Sequence, residues 1–155
     1  MVTIIAKDFI TNLGILRLFY TLYKLELLSY FLISITLSAI IGEILFHNQH
    51  TFNPSYVVKD EVWLIKNSGI YGSSYIDIPW YLNYFTNGIE YHHIHHISSK
   101  IPGYNLKYYH KEVIETYDIF NHVVKLSMKD CYENLFLVLY SEDKHKYITF
   151  YELEN

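Results

Sequence analysis

The chain has 155 residues, enough for one domain with a hydrophobic core, and 51% of them are hydrophobic. Its net charge of −4, without any run of Lys or Arg, excludes the basic surface that nucleic-acid binding requires. The single cysteine, Cys131, excludes an internal disulfide, and we predict that it is an ordinary packed side chain.

The first predicted element is a short apolar segment at 9–23, which Asn12 and Arg17 interrupt. Two interpretations stay open for it. The segment is either the first arm of a membrane hairpin or an amphipathic helix that lies in the membrane interface. We favour the hairpin, with its turn near Lys24 and Glu26. Lys and Arg are too evenly distributed around these residues for their charges to indicate an orientation.

The second element is an apolar segment at 27–46, with the sequence LLSYFLISITLSAIIGEILF and one charge, Glu43, near its end. A helix rises about 1.5 Å per residue, so this segment spans roughly 30 Å, the thickness of a hydrocarbon core. It therefore predicts a transmembrane helix, with a buried helix of a soluble protein as the alternative. A signal peptide is disfavoured because no small-residue cleavage site follows the segment.

Turn residues and apolar spacing divide the rest of the chain into short elements. Pro54 ends any helix that continues from the apolar segment, Pro79 is typical of a first helical turn, and Gly88 is typical of a helix end. The predicted elements are, in chain order, a helix over 56–66, a helix over 77–87, a helix that carries a histidine cluster up to 101, two or three helices over 106–140, and a strand over 146–151.

The densest chemical feature is a cluster of four histidines within five residues, at 92, 93, 95 and 96. On a helix, His92, His95 and His96 stand at i, i+3 and i+4 and share one face, whereas His93 points about a quarter turn away. Neutral imidazole is a common ligand of iron, zinc, copper and nickel. The flanking residues read as ordinary folded sequence, which argues against an affinity tag. The cluster therefore predicts a metal site.

His50 follows the apolar segment directly and is the predicted fourth ligand. His47 lies three residues earlier and shares its face if the helix continues, but we favour its interpretation as an interfacial polar residue. A zinc ion could bind three imidazoles and keep one coordination position open, but a site at a membrane face favours oxygen-activating iron. The remaining histidines are isolated in sequence and are predicted to be surface or structural: His110, His122 and His145.

Four stretches carry a resemblance to one known family: 45–52 (LFHNQHTF), 72–86, 90–106 (EYHHIHHISSKIPGYNL) and 141–150. They resemble the C-terminal portion of the membrane fatty acid desaturases, especially the acyl-lipid delta-12 (omega-6) type. The first matches the family's Phe-x-x-Gln-His-x-Phe segment. The third matches its last histidine box and the trailing Ile-Pro-x-Tyr-x-Leu. The resemblance is collinear over nearly the whole chain.

The resemblance implies an all-α membrane protein with one transmembrane helical hairpin over 9–46. A cytosolic helical cap over 47–155 would follow, carrying the His cluster and a short C-terminal strand. It implies a multi-pass protein of the endoplasmic reticulum or another lipid-synthesising membrane, with the histidines on the cytosolic side. We expect no nucleic-acid partner.

The resemblance also implies an oxidoreductase that acts on paired donors with O2. Members of the family use a non-haem di-iron centre to introduce a cis double bond into a lipid-bound acyl chain, with electrons from cytochrome b5 or ferredoxin. By position, the implied iron ligands are His92, His95, His96 and His50. His93 falls outside the ligand pattern and is a candidate supporting residue, as is His47.

The chain departs from the family because the first two histidine boxes are absent. Four candidate ligands are too few for two irons. We therefore expect residues 1–155 to be the C-terminal half, or a fragment, of a desaturase-like domain that is inactive alone and pairs with a complementary half. The alternatives are a related membrane fatty acid hydroxylase, a non-catalytic degenerate homologue that pairs with an intact enzyme, and a soluble zinc protein.

Overall fold

The computed structural model describes residues 2–59 and 64–154, which are mostly helical and fall into two compact units, Met1–Glu43 and Ile44–Asn155. The helices are α1 (Val2–Lys24), α2 (Leu28–His50), α3 (Ile65–Tyr71), α4 (Asn83–Thr86), α5 (His92–Ile97), α6 (Gly103–Thr116), α7 (Met128–Asn134) and α8 (Phe150–Glu154). The strands are β1 (Tyr75–Ile76), β2 (Lys125–Leu126), β3 (Leu139–Ser141) and β4 (Lys146–Ile148). The described residues also form 3-10 helices at Trp80–Leu82, Ile89–Tyr91 and Asp118–His122.

The first unit contains α1 and most of α2, joined by a turn in which Glu26 has a φ of 60°. The rings of Phe19 and Phe31 contact each other edge-on across this turn, with their centroids 5.9 Å apart. Among the described residues, α2 is the one helix long and apolar enough to cross a membrane, and its apolar side chains are exposed. The predicted hairpin needs a second spanning helix, so it stays a prediction.

In its described part, the second unit has two small apolar cores. One contains Phe52, Ile76, Leu126 and Cys131, and the other contains Tyr91, Ile94 and Leu106. Cys131 is buried and free, and burial raises the pKa of its thiol to about 11. A thiol with such a pKa is protonated at neutral pH, which agrees with the predicted packing role.

Short strands connect segments that are distant in sequence. Strand β1 pairs in parallel with β2, with Tyr75 opposite Lys125, and β3 pairs with β4 in an antiparallel hairpin. The predicted terminal strand is confirmed at Lys146–Ile148 but is wrong beyond it. Thr149 and Glu152 form a reciprocal capping pair, in which each backbone N–H donates to the other's side chain, and this pair starts α8.

The predicted helix over 56–66 is wrong at its start, because residues 56–59 are not helical and α3 begins at Ile65. The middle of that prediction, 60–63, lies outside the described residues. The predicted helix over 77–87 is present as the 3-10 turn at Trp80–Leu82 followed by α4. In the tail, α6 and α7 are confirmed as helices, whereas β2 and β3 were not predicted.

Candidate metal centre

Helix α5 begins after a tight left-handed turn formed by Asn87 (φ 51°) and Gly88 (φ 83°). A side chain at Gly88 would collide with the carbonyl oxygen of Gly103, so the backbone of this turn lies directly against the start of α6. On its other side, α5 packs against α3, where a methyl group at Gly69 would lie 3.4 Å from the Cβ of His96. These two close contacts fix where α5 presents its histidines.

Three histidines converge at this point: His50 at the end of α2, and His92 and His96 on α5. One ring nitrogen of each lies within 4.8 Å of the others. The Nε2 atoms of His50 and His92 are 3.0 Å apart, and the ring of His96 lies 4.6 Å from that of His92 between centroids. His92 is 8% exposed and His50 and His96 are half-buried, so the group is partly shielded from solvent.

The three rings fit a transition-metal ion. Two nitrogens bound at about 2.1 Å and at right angles lie about 3.0 Å apart, which is the separation of the His50 and His92 nitrogens. His50 Nδ1 lies 3.3 Å from the carbonyl of Gly72, so it donates its N–H there and leaves the Nε2 lone pair free. The Nε2 of His96 is buried and has no partner within the described residues, as expected of a ligand atom.

The other predicted residues are placed differently. The ring of His95 stacks on that of His92 at 5.4 Å and is not part of the three-histidine group. His47 lies 2.9 Å from the backbone carbonyl of Asn134 through its Nε2, which connects α2 to the end of α7. His93 is fully buried and faces α6. The supporting roles of His47 and His93 stay predictions.

A second cluster of rings lies on the opposite side of α5. His93 Nε2 lies 2.8 Å from Nδ1 of His110, and the ring of His110 packs with those of Tyr75 and Tyr91, which are stacked on each other at 5.0 Å. The ring of His93 contacts that of Tyr75 edge-on. His110 is isolated in sequence and was predicted to be surface or structural. His110 follows the buried Leu106 by four residues, so both lie on the same face of α6. This spacing could have indicated from the sequence that His110 is partly buried.

Burial keeps these histidines neutral. Desolvation, followed by the neighbouring imidazoles, lowers the pKa of His92 to about 3, and the same causes lower the pKa of His96. Burial and then His110 lower the pKa of His93 to about 3, while burial and the nearby lysines lower that of His110 to about 4. Neutral rings at pH 7 have a lone pair available for a metal.

We expect the metal-free chain to lose stability as the pH falls. Unfolded histidine binds a proton near pH 6.5, whereas His93 and His110 resist protonation in the folded state. The unfolded state therefore binds more protons between pH 6.5 and about 3, so stability is full above this range and is lost through it. The loss should be on the order of a few kcal/mol, measured by thermal unfolding in chelator at pH 7.5 and 4.5. His110→Gln should flatten this dependence, and a pH-independent melting temperature would contradict it.

Comparison with known proteins assigns the chain to a family. The sequence model of the fatty acid desaturase family matches residues 3–125. A protein from Bacillus subtilis (strain 168) named fatty acid desaturase is 35% identical over 114 residues, which cover 74% of this chain and 31% of that protein. The chain thus spans about a third of the length of this curated relative. No solved structure is significantly similar. Because the family match covers most of its residues, the chain belongs to the fatty acid desaturase family.

Proposed function

We propose that this chain holds part of the di-iron centre of a membrane acyl-lipid desaturase. The enzyme would use O2 to remove two hydrogens from a lipid-bound acyl chain and leave a cis double bond, with cytochrome b5 or ferredoxin as electron donor. The observation that carries this proposal is the convergence of His50, His92 and His96 in a chain of the desaturase family. Membership of the desaturase family supports, in general, an oxidoreductase activity, an acyl-lipid substrate and an electron donor.

The proposed iron ligands are His92, His96 and His50, together with His95. Because His95 lies beside the three-histidine group and not in it, we assign it to the second iron. The remaining ligands would come from residues that this sequence does not contain, since the first two boxes of the family are absent from it. A complementary desaturase half is the proposed source.

The residues of this chain hold and orient the site. When bound, the iron centre would supply oxygen activation and removal of hydrogen from an unactivated carbon. The carbonyl of Gly72 fixes the ring orientation of His50, and the packed pair of His93 and His110 fixes α5 from behind. The ring of Phe46 contacts that of His50 edge-on, with their centroids 5.0 Å apart. These contacts keep the imidazoles convergent, and burial keeps them neutral by lowering the pKa of each ring.

We also propose that α1 and α2 form the predicted hairpin in a lipid-synthesising membrane, with the histidines on the cytosolic side. The family is typically membrane-associated, and α2 is apolar enough to span a bilayer. The exposed apolar side chains of α2 support this arrangement, because an exposed helix of such composition is stable in lipid and not in water.

Co-expression tests the proposed activity. The chain is produced together with a polypeptide that contains the first two histidine boxes, and cellular acyl lipids are analysed by mass spectrometry. We expect new double bonds only when both polypeptides are present, and none with His96→Ala. Hydroxylated acyl chains would instead identify the related hydroxylase. Association of the two polypeptides without any new product would identify a non-catalytic homologue.

A further inference from the structure

A cavity of about 440 Å³ lies beside the turn that precedes α5. It is separate from the histidine site, and it combines aromatic rings, buried oxygen acceptors and one lysine. Its lining includes Trp80, Asn83, Tyr84, Glu90, Tyr104 and Lys107.

The deepest polar group of this cavity is the carboxylate of Glu90, which is 1% exposed. One of its oxygens accepts a hydrogen bond of 2.6 Å from the hydroxyl of Thr86, and the other is buried with no partner in the part of the chain that the structure describes. The side-chain oxygen of Asn83 is buried and lacks a donor in the same way. A ligand that donates hydrogen bonds would satisfy both of these acceptors at one cavity.

The rim of the cavity is aromatic. Trp80, Tyr84 and Tyr104 are 82%, 87% and 74% exposed, which is unusual for rings of this size. Aromatic faces attract cations, and rings of Trp and Tyr are enriched where a membrane meets water. The ammonium of Lys107 lines the same cavity and makes no ion pair among the described residues. The cavity can therefore accept a cation and an anion that are close together, at a membrane surface.

We propose that this cavity binds the head group of a phosphatidylethanolamine lipid, a proposal that rests on the acyl-lipid desaturase function above. The primary ammonium would donate to Glu90 and Asn83 beneath the aromatic rim, and the phosphate would contact Lys107. A trimethylammonium group carries no N–H and would leave both buried acceptors unsatisfied. Selection of the ethanolamine head group follows from this difference.

Tryptophan fluorescence tests the proposal without metal or turnover. The chain has two tryptophans, so Trp63→Phe leaves Trp80 as the reporter at the cavity. This variant, in detergent micelles, is titrated with short-chain phosphatidylethanolamine, phosphatidylcholine and phosphatidylglycerol. We expect ethanolamine lipid to bind about tenfold more tightly than the other two. Glu90→Gln should remove this preference, whereas Glu115→Gln, an exposed carboxylate on α6, should retain it.

Lys107 is exposed, so Lys107→Gln should not prevent folding. This variant therefore tests the proposal if Glu90→Gln fails to fold. It should weaken binding of all three phospholipids several-fold. Equal affinity for the three head groups would overturn the proposal. Equally tight binding of free phosphoethanolamine would also overturn it, because the ligand would then be a soluble amine and not a lipid. Since iron plays no part in this titration, its failure would leave the proposed histidine site intact.

Discussion

The substitution His92→Ala is expected to lower the affinity of the chain for Fe²⁺ by at least a hundredfold. His92 contacts both other members of the three-histidine group, and its Nε2 lies 3.0 Å from that of His50. Loss of a residue that merely supports a ligand costs ten- to a hundredfold in metal affinity, and loss of a central ligand should cost more. Competition with a chromophoric chelator under anaerobic conditions measures this affinity at pH 7.5.

Two further histidines provide matched controls for that experiment. His122→Ala removes an exposed imidazole and should leave Fe²⁺ affinity unchanged. His95→Ala should reduce the affinity by less than tenfold in this chain alone but abolish desaturation in the co-expression assay, because we assign His95 to the second iron. If His92→Ala binds Fe²⁺ as tightly as the native chain, the three-histidine group is not the metal site.

The second large effect is expected for Gly88→Ala, which should destabilise the chain by about 2 kcal/mol or more. Gly88 has a φ of 83°, a conformation that costs a residue with a side chain about 1–2 kcal/mol. A Cβ at this position would also collide with the backbone carbonyl of Gly103, which cannot move without displacing α6. Thermal unfolding in detergent micelles measures the change.

The matched control is Gly14→Ala in α1, where a Cβ would meet nothing within 4 Å. This change should leave stability unchanged or raise it by up to about 1 kcal/mol, since alanine favours a helix over glycine. Gly88→Ala should also weaken Fe²⁺ binding, because the turn at Gly88 sets the position of α5. A melting temperature equal to that of the native chain would show that the turn is not constrained as described.

Sequence patterns predicted the elements whose causes are local. Nearby residues determine the apolar length of α2 and the helix that carries the histidines. A proline and a glycine likewise determine the bounds of the helix over 77–87. The spacing of His92 and His96 by one helical turn likewise placed them on one face. The resemblance of the histidine box to the desaturases agreed with the family assignment.

Features that depend on distant contacts were not predicted. Helical spacing alone predicted the same ligand role for His95 and His96. The position of His50, whose ring lies 5.1 Å from that of His96, distinguishes the two. The parallel pair of β1 and β2 joins residues fifty positions apart and leaves no periodicity in such short strands. The contact of His93 with His110 depends on α6 returning beside α5, which no local pattern specifies.

We infer that His50, His92 and His96 bind one metal ion together. X-ray absorption spectroscopy of the iron-loaded chain can show this binding, because imidazole ligands produce characteristic outer-shell scattering. We predict about three imidazole nitrogens at about 2.1 Å from the iron, with one fewer in His50→Ala. A shell of oxygen ligands without imidazole scattering, or a spectrum unchanged by His50→Ala, would contradict the account.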